Sequence, residues 1–345
     1  MDKIYFLRLK KNRFGGAEKY LSRLAKELER QGVDFEIIHS KTPSFLASWM
    51  RALIFNMEVC LKKRGFYFSL DRISCPDIYR AGDGVHKVFM KVKGRKTNPL
   101  NLVYLYLEKR AFRNAKKIIA NSKKVKREIV ENYFVEESKI EVVYNGIEPE
   151  EFDEKVSKRK IVNEFSIDPS KKIILFVGSG FERKGADRFL NILSSLKNDF
   201  YAFVVGKEKN IKYYIDLAKK LKLEEKVFFT GPREDVRDFY ISADILLFPT
   251  KYEPFSNVVL EAMSYKNAVI TTEDNGACEI LEEKFVIFGR NDSKAASLID
   301  ELIENERFLE EVKERNYKKV RNFTMEKNAK ETVRIIKSLL REEKK

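Results

Sequence analysis

Glu253 and Glu261 stand eight residues apart in Glu253-Pro254-Phe255-Ser256-Asn257-Val258-Val259-Leu260-Glu261. The segment follows the apolar run Ile245–Phe248, and its second half reads as helix, so Glu253 belongs to a loop and Glu261 to a helix. Helical side chains lean toward the N-terminus, which turns Glu261 back toward that loop. Each carboxylate can accept hydrogen bonds from a vicinal diol, one on a sugar and one on a ribose. The amides of Phe255, Ser256 and Asn257 open the helix, where unpaired donors and the helix dipole favour a phosphate. Spacing alone does not secure this chemistry, because two glutamates eight apart arise by chance in a chain with 53 acidic residues.

A second constellation is Gly178-Ser179-Gly180-Phe181-Glu182-Arg183-Lys184-Gly185, placed between a strand run and a helix. Adjacent cations in such a turn suit a diphosphate leaving group, whose charge grows as a glycosidic bond breaks. The end of a strand is also where open α/β sheets bind ligands, which sets Arg183 and Lys184 apart from ordinary surface pairs. Gly231-Pro232-Arg233 follows another strand. In the first half, Phe14-Gly15-Gly16-Ala17-Glu18 follows the first strand, and its two glycines allow close approach of a ligand. Asp83, in Arg80-Ala81-Gly82-Asp83-Gly84-Val85-His86, follows the run Pro76–Ala81, with His86 as the alternative functional group nearby. No Asp-x-Asp pair and no histidine cluster suggests a metal site.

The elements that position these groups alternate. Lys3–Leu9 is a strand, Ala17–Arg30 a helix with Tyr20, Leu21, Leu24, Ala25 and Leu28 at helical spacing, and Asp34–His39 a second strand. Lys117–Ala120 and Ile140–Tyr144 continue the series, the last stopped by Asn145-Gly146. A charged stretch from Glu148 to about Lys160 reads as a linker. The pattern restarts with strand Ile173–Val177, helix Asp187–Leu196 and strands Tyr201–Val205 and Lys226–Thr230. Helix Val236–Ala243, strand Ile245–Phe248, helix Asn257–Tyr265 and strand Ala268–Thr271 complete it. Strands alternating with helices predict parallel sheets covered on both faces. The expected fold is α/β, with two doubly wound Rossmann-like domains facing each other across a cleft: residues 1–160 and 161–324, with a C-terminal helix at about 325–345 packing back on the first.

Composition narrows the setting. Residues 1–150 carry 31 Lys and Arg against 18 Asp and Glu, a net of +13, and the remainder of the chain only +2. The window from Lys87 to Lys117 has ten cations and one acid, Glu108, with Phe89, Tyr104, Tyr106 and Phe112 interleaved. That mixture suits an anionic bilayer surface, and a solvated helix face with inward aromatics is the plain alternative. Nucleic acid is not expected, since no recognition helix or stacking platform accompanies the charge. No signal peptide or spanning segment is evident, and Cys60, Cys75 and Cys278 have no paired spacing, so a reduced cytoplasmic protein without disulfides is expected. A single Gln amid abundant Lys and Glu is a thermophile's composition.

The Glu253–Glu261 segment resembles the Glu-x7-Glu signature of retaining glycosyltransferases of family 4, and the likeness extends over Phe248–Thr272. That family has the B-type fold of two Rossmann-like domains. The resemblance implies that Glu253 contacts the hexosyl ring of the donor, Glu261 the ribose, and Arg183 and Lys184 the UDP diphosphate. It implies that Arg233 lies in the loop that reads the base, that Gly15 and Gly16 form the glycine-rich loop, and that Asp83 serves the donor sugar. Asp at position 83 is similar to the lipopolysaccharide-core glucosyltransferases, whereas many relatives carry His; Ser256 departs from the usual Gly. The implied function is metal-independent, cofactor-free transfer of a hexose, glucose from UDP-glucose, to a membrane-associated saccharide such as the lipopolysaccharide inner core, with retention. The implied place is the inner face of the cytoplasmic membrane. A phospholipid or small-sugar acceptor, and a basic nucleic-acid-binding protein without activity, are the alternatives.

Overall fold

The computed structural model describes residues 3–9, 16–94, 98–148 and 150–342. It divides into two units, Met1–Gly146 with Met325–Lys345, and Ile147–Thr324. The first unit runs β1 (Ile4–Arg8), α1 (Gly16–Arg30), β2 (Phe35–His39), α2 (Ser48–Leu61), β3 (Phe66–Ser69) and β4 (Ile78–Ala81). It continues with α3 (His86–Lys93), α4 (Pro99–Asn114), β5 (Lys117–Ala120), α5 (Lys123–Tyr133) and β6 (Ile140–Val142). All strand pairings are parallel, in the order β2-β1-β3-β4-β5-β6. β3 escapes a periodicity search because all four of its residues are buried, so no polar alternation marks it.

The second unit begins with α6 (Glu154–Phe165) and β7 (Lys172–Val177), then α7 (Phe181–Lys184), α8 (Ala186–Leu193), β8 (Phe200–Val205), α9 (Ile211–Lys220) and β9 (Val227–Gly231). It proceeds through α10 (Val236–Ser242), β10 (Ile245–Phe248), α11 (Asn257–Ser264), β11 (Ala268–Thr272), β12 (Val286–Ile287), α12 (Asp292–Glu304) and α13 (Glu306–Val320). Its sheet is also parallel, ordered β12-β11-β10-β7-β8-β9. The winding reverses between β7 and β10. At such a switch point the loops leaving two adjacent strands diverge to opposite faces and open a crevice at the strands' C-terminal ends.

α14 (Met325–Glu342) belongs to the first unit. Its Met325, Ala329, Val333 and Ile336 join Leu21, Leu24 and Leu28 of α1 in one core, and the Thr332 hydroxyl meets the Tyr20 hydroxyl at 3.2 Å.

Two expectations are corrected. The charged stretch read as a linker to Lys160 is structured from Glu154 on, and the unit boundary falls at Gly146/Ile147. Asp153 caps α6 by accepting from the Val156 amide, Ile161 is buried, and Ser157 and Lys160 bind Asp238 of α10. Only Ser157 and Ile161 of its twelve residues are buried, so no apolar periodicity betrays it. Second, Cys60 and Cys75 form a disulfide that ties the end of α2 to the segment between β3 and β4. Sequence spacing cannot reveal this pair, because β3 must first run between them to bring the two ends together. Among the described residues no helix is long and apolar enough to cross a membrane.

Candidate functional site

The second unit's site is built at the β7/β10 switch point from three turns. After β7, Gly178, Ser179 and Gly180 lead into α7, and the Gly180 amide donates to the Lys207 carbonyl at 3.2 Å. Glycine is required at 185: with φ at +78°, an added Cβ would fall 2.0 Å from the Pro249 carbonyl oxygen. That approach lets the turn after β10 dock directly on α7. The Arg183 carbonyl accepts from the Lys251 amide at 2.9 Å and from the Thr250 hydroxyl at 3.0 Å.

These contacts bring Arg183 and Lys184 onto Glu253. The Arg183 guanidinium donates to Glu253 Oε2 at 2.7 Å, and the Lys184 ammonium binds the same oxygen. Arg183 also donates to the Tyr252 carbonyl, and Lys184 Nζ lies 4.9 Å from the Phe248 ring centre. Burial alone would raise the Glu253 carboxyl, but the Lys184 and Arg183 charges outweigh it and hold it below its ordinary value. Burial lowers the Lys184 ammonium against the pull of Glu253. The result is a cluster of two cations and one carboxylate, with Lys184 and Glu253 nearly buried, Arg183 partly exposed, and one positive charge in excess.

The third turn braces the second. The Glu253 amide donates to the Asp274 carbonyl at 3.0 Å, and its carbonyl accepts from the Gly276 amide at 2.9 Å. Fully buried Asn275 accepts from the Ser256 and Ala277 amides through Oδ1 and donates to Thr271 Oγ1. The Ser256 amide, expected to face a phosphate, is therefore directed at Asn275. Phe255 is in the core, and the Ser256 hydroxyl is buried without a partner. Asn257 begins α11 as expected, and on α11 Glu261 accepts from the Tyr240 hydroxyl at 2.9 Å.

Arg233 does not join this cluster. Its guanidinium grips Glu164 of α6 with two nitrogens and Asp235 with two, so it clamps α6 to the loop after β9. Gly15 lies outside the described residues, and Gly16 opens α1.

In the first unit, Asp83 follows β4 with its side chain 71% exposed and Arg72 4.0 Å away. His86 is buried, its ring against Tyr104 and its Nε2 3.2 Å from Asn101 Oδ1, and burial lowers its pKa. Behind both stands Glu108, wholly buried, which accepts from Arg72 Nε, the His86 and Lys87 amides and the Tyr133 hydroxyl. Among the described residues no group of three His, Cys, Asp or Glu is placed to hold a metal ion.

Asn275, Tyr240, Arg72 and Glu108 were not legible as site residues. Asn275-Gly276 reads as a turn, Tyr240 as a core aromatic, Arg72 as one of many cations, and Glu108 as the odd acid in a basic helix.

Residues 157–319 match the family model of group 1 glycosyl transferases, and residues 79–151 that of glycosyltransferase family 4. The chain is 32% identical over 178 residues to the lipopolysaccharide glucosyltransferase WaaG of Escherichia coli, covering 49% of this chain and 47% of that protein. The match spans 47% to 60% of the length of several curated relatives, 59% of an uncharacterized glycosyltransferase of Methanocaldococcus jannaschii among them. Among solved structures, that of WaaG, a glycosyltransferase involved in lipopolysaccharide biosynthesis, superposes with a TM-score of 0.79 at 21% identity, covering 96% of this chain and 99% of that one. HepE of Anabaena in complex with UDP-glucose superposes with a TM-score of 0.74 at 18% identity, covering 98% and 100%. The two parallel six-stranded sheets with their flanking helices are thus the B-type glycosyltransferase fold.

Proposed function

We propose that this chain, a glycosyltransferase of the B type related to the lipopolysaccharide-core enzymes, moves a hexose from a UDP-sugar to a membrane-held saccharide with retention of configuration. The observation that carries the donor half is Glu253 held by Arg183 and Lys184 at the sheet's switch point. A nucleoside diphosphate needs cations fixed where its charge grows, and Lys184, nearly buried, with the partly exposed Arg183 would supply them. Glu253 would keep them oriented in the absence of donor and accept a hydroxyl of the sugar when donor is bound. In the retaining step the bond from C1 to the diphosphate oxygen breaks, the acceptor oxygen bonds C1 on the same face, and the acceptor's proton leaves with the diphosphate. Glu261 would hold the ribose through its carboxylate, and Asp83 is the first unit's candidate catalytic group. Glucose is the proposed sugar, supported by the lipopolysaccharide glucosyltransferase relative and by the UDP-glucose complex of a fold neighbour.

The acceptor half rests on surface chemistry. α3 and α4 expose Lys87, Lys91, Lys109, Arg110 and Arg113 together with Val92, Leu102 and Tyr106, and the Arg110 guanidinium lies 5.2 Å from the Tyr106 ring centre. Phe112, by contrast, is buried in the core. Outward cations with outward apolar groups suit an anionic leaflet better than a purely solvated face. A phospholipid or small-sugar acceptor would use the same donor site.

A thermal-shift screen of nucleotide sugars tests the donor half. A ligand at a hundred times its Kd stabilises the folded state by about 2.7 kcal/mol. UDP-glucose should raise Tm in the native protein and not in Lys184→Met; stabilisation only by other donors would replace the sugar, and stabilisation by none would sink the reading.

A further inference from the structure

α2 carries apolar side chains on two sides. Ala52, Phe55 and Val59 are buried with Leu7, Tyr67 and Leu107 in the first unit's core. Trp49, Leu53, Met57 and Leu61 follow one another at four-residue spacing, which places them as neighbours along another face. Met57 is 57% exposed and Leu61 80%, and Phe45, in the turn ahead of the helix, is 84% exposed. Large apolar side chains clustered on a surface mark an interaction site. Cations flank the row in sequence: from Lys41 to Arg64 the chain holds five Lys and Arg and one acid, Glu58; Lys63 pairs with Asp77, and Lys41, Lys62 and Arg64 are exposed.

We infer that α2 lies in the headgroup layer of an anionic bilayer, with Trp49, Leu53, Met57 and Leu61 turned into the acyl boundary. This rests on the membrane part of the proposed function and deepens it by adding an apolar contact to the basic face of α3 and α4. Fourteen residues make about 21 Å of helix, short of the hydrocarbon core of about 30 Å, so the helix lies along the surface. The other natural occupant is a second copy of the chain, and charge disfavours it. A two-fold contact with the two α2 helices antiparallel would set Lys41 of one copy toward Lys62 and Arg64 of the other, cation toward cation, whereas anionic lipid meets them with opposite charge. The helix is also anchored from behind: the disulfide fixes Cys60, and Asn56 Oδ1 accepts from the Ser74 amide at 2.7 Å.

Trp49 is the only tryptophan in the chain, so its emission reports on this contact alone. The full-length protein is titrated with vesicles of phosphatidylglycerol and phosphatidylcholine, then with vesicles whose phosphatidylcholine carries bromine on its acyl chains. The emission should shift to shorter wavelength on binding and be quenched by the bromine. Met57→Glu combined with Leu61→Glu should weaken vesicle affinity at least tenfold with the circular dichroism and Tm unchanged. Vesicle binding with an unshifted, unquenched Trp49, or undiminished binding by the double variant, overturns the inference and leaves the basic-face reading standing. Absence of binding to anionic vesicles overturns both. A dimer in sedimentation that the double variant abolishes assigns the row to a second copy and overturns it as well.

Discussion

The Tyr240 hydroxyl donates to Glu261 Oε2 at 2.9 Å from a ring buried beneath α11 and stacked on Tyr265, 6.0 Å between centres. A buried donor fixes one carboxylate oxygen and the rotamer with it, so the orientation of Glu261 is set before any ligand arrives. If Glu261 holds the donor's ribose, Tyr240 acts through it as a positioning residue. Tyr240→Phe should then raise the KM for donor about tenfold, a cost of about 1.4 kcal/mol, with kcat nearly unchanged. It should also narrow the preference for UDP-glucose over its 2′-deoxyribose analogue, which a purely structural role for Tyr240 would leave alone.

Removing Glu253 strands a buried ammonium. Glu253→Gln should abolish transfer, and it should also lower stability by about 3 kcal/mol, because Lys184 keeps its burial and loses its main counter-charge. Adding Lys184→Met removes the stranded charge and should restore Tm toward the native value without restoring transfer. Thermal unfolding of the two single variants and the double variant gives the coupling directly. A double variant no more stable than Glu253→Gln alone would contradict this pairing.

The same pair fixes a pH dependence. The folded Glu253 carboxyl titrates below its ordinary value, so its contribution is complete above the unfolded carboxyl's pKa of about 4.3 and fades as pH falls through the lower folded value. Between about pH 5 and pH 2 the native protein should therefore lose stability more steeply than Glu253→Gln. Parallel melting series on the two proteins check the sign, and equal slopes would show that Glu253 gains nothing from Lys184 and Arg183.

The alternation of strands and helices was readable because each buried strand is a short apolar run and most helices keep a polar face. The Glu253 and Lys184 motifs were readable because each sits where a strand run ends. What escaped depends on three-dimensional proximity. Asn275 supports Glu253 from 22 positions away, Glu108 reaches Arg72 from 36 away, and Cys60 meets Cys75 only after β3 is laid between them. Arg233 follows β9 as expected, and its guanidinium is held by the neighbouring Asp235 and by Glu164, 69 positions away on α6, a partner that no local motif shows.

Metal dependence follows from where the leaving group's charge would go. Arg183 and Lys184 already stand at the switch point, and no grouping of three ligands occurs among the described residues. Saturating EDTA should leave the initial rate of transfer nearly unchanged. A rate lost to EDTA and restored by Mg²⁺ or Mn²⁺ would assign the diphosphate's charge to a metal instead.

The last prediction concerns the cations of α3 and α4 and is independent of the α2 row. The first 150 residues carry +13 and the rest +2, and Lys91, Lys109, Arg110 and Arg113 are all exposed. A Lys or Arg near an anionic surface contributes about 1 kcal/mol, screened over about 8 Å at physiological salt. Four such charges suffice for reversible attachment and make it fall steeply with ionic strength. The protein should sediment with vesicles containing phosphatidylglycerol or cardiolipin, be released by roughly 0.5 M salt, and bind neutral vesicles weakly. Reversing the four to Glu should weaken binding to anionic vesicles and flatten its salt dependence, while hydrolysis of donor in solution continues at the native rate. Equal binding to neutral and anionic vesicles would remove the cations from any role at the membrane.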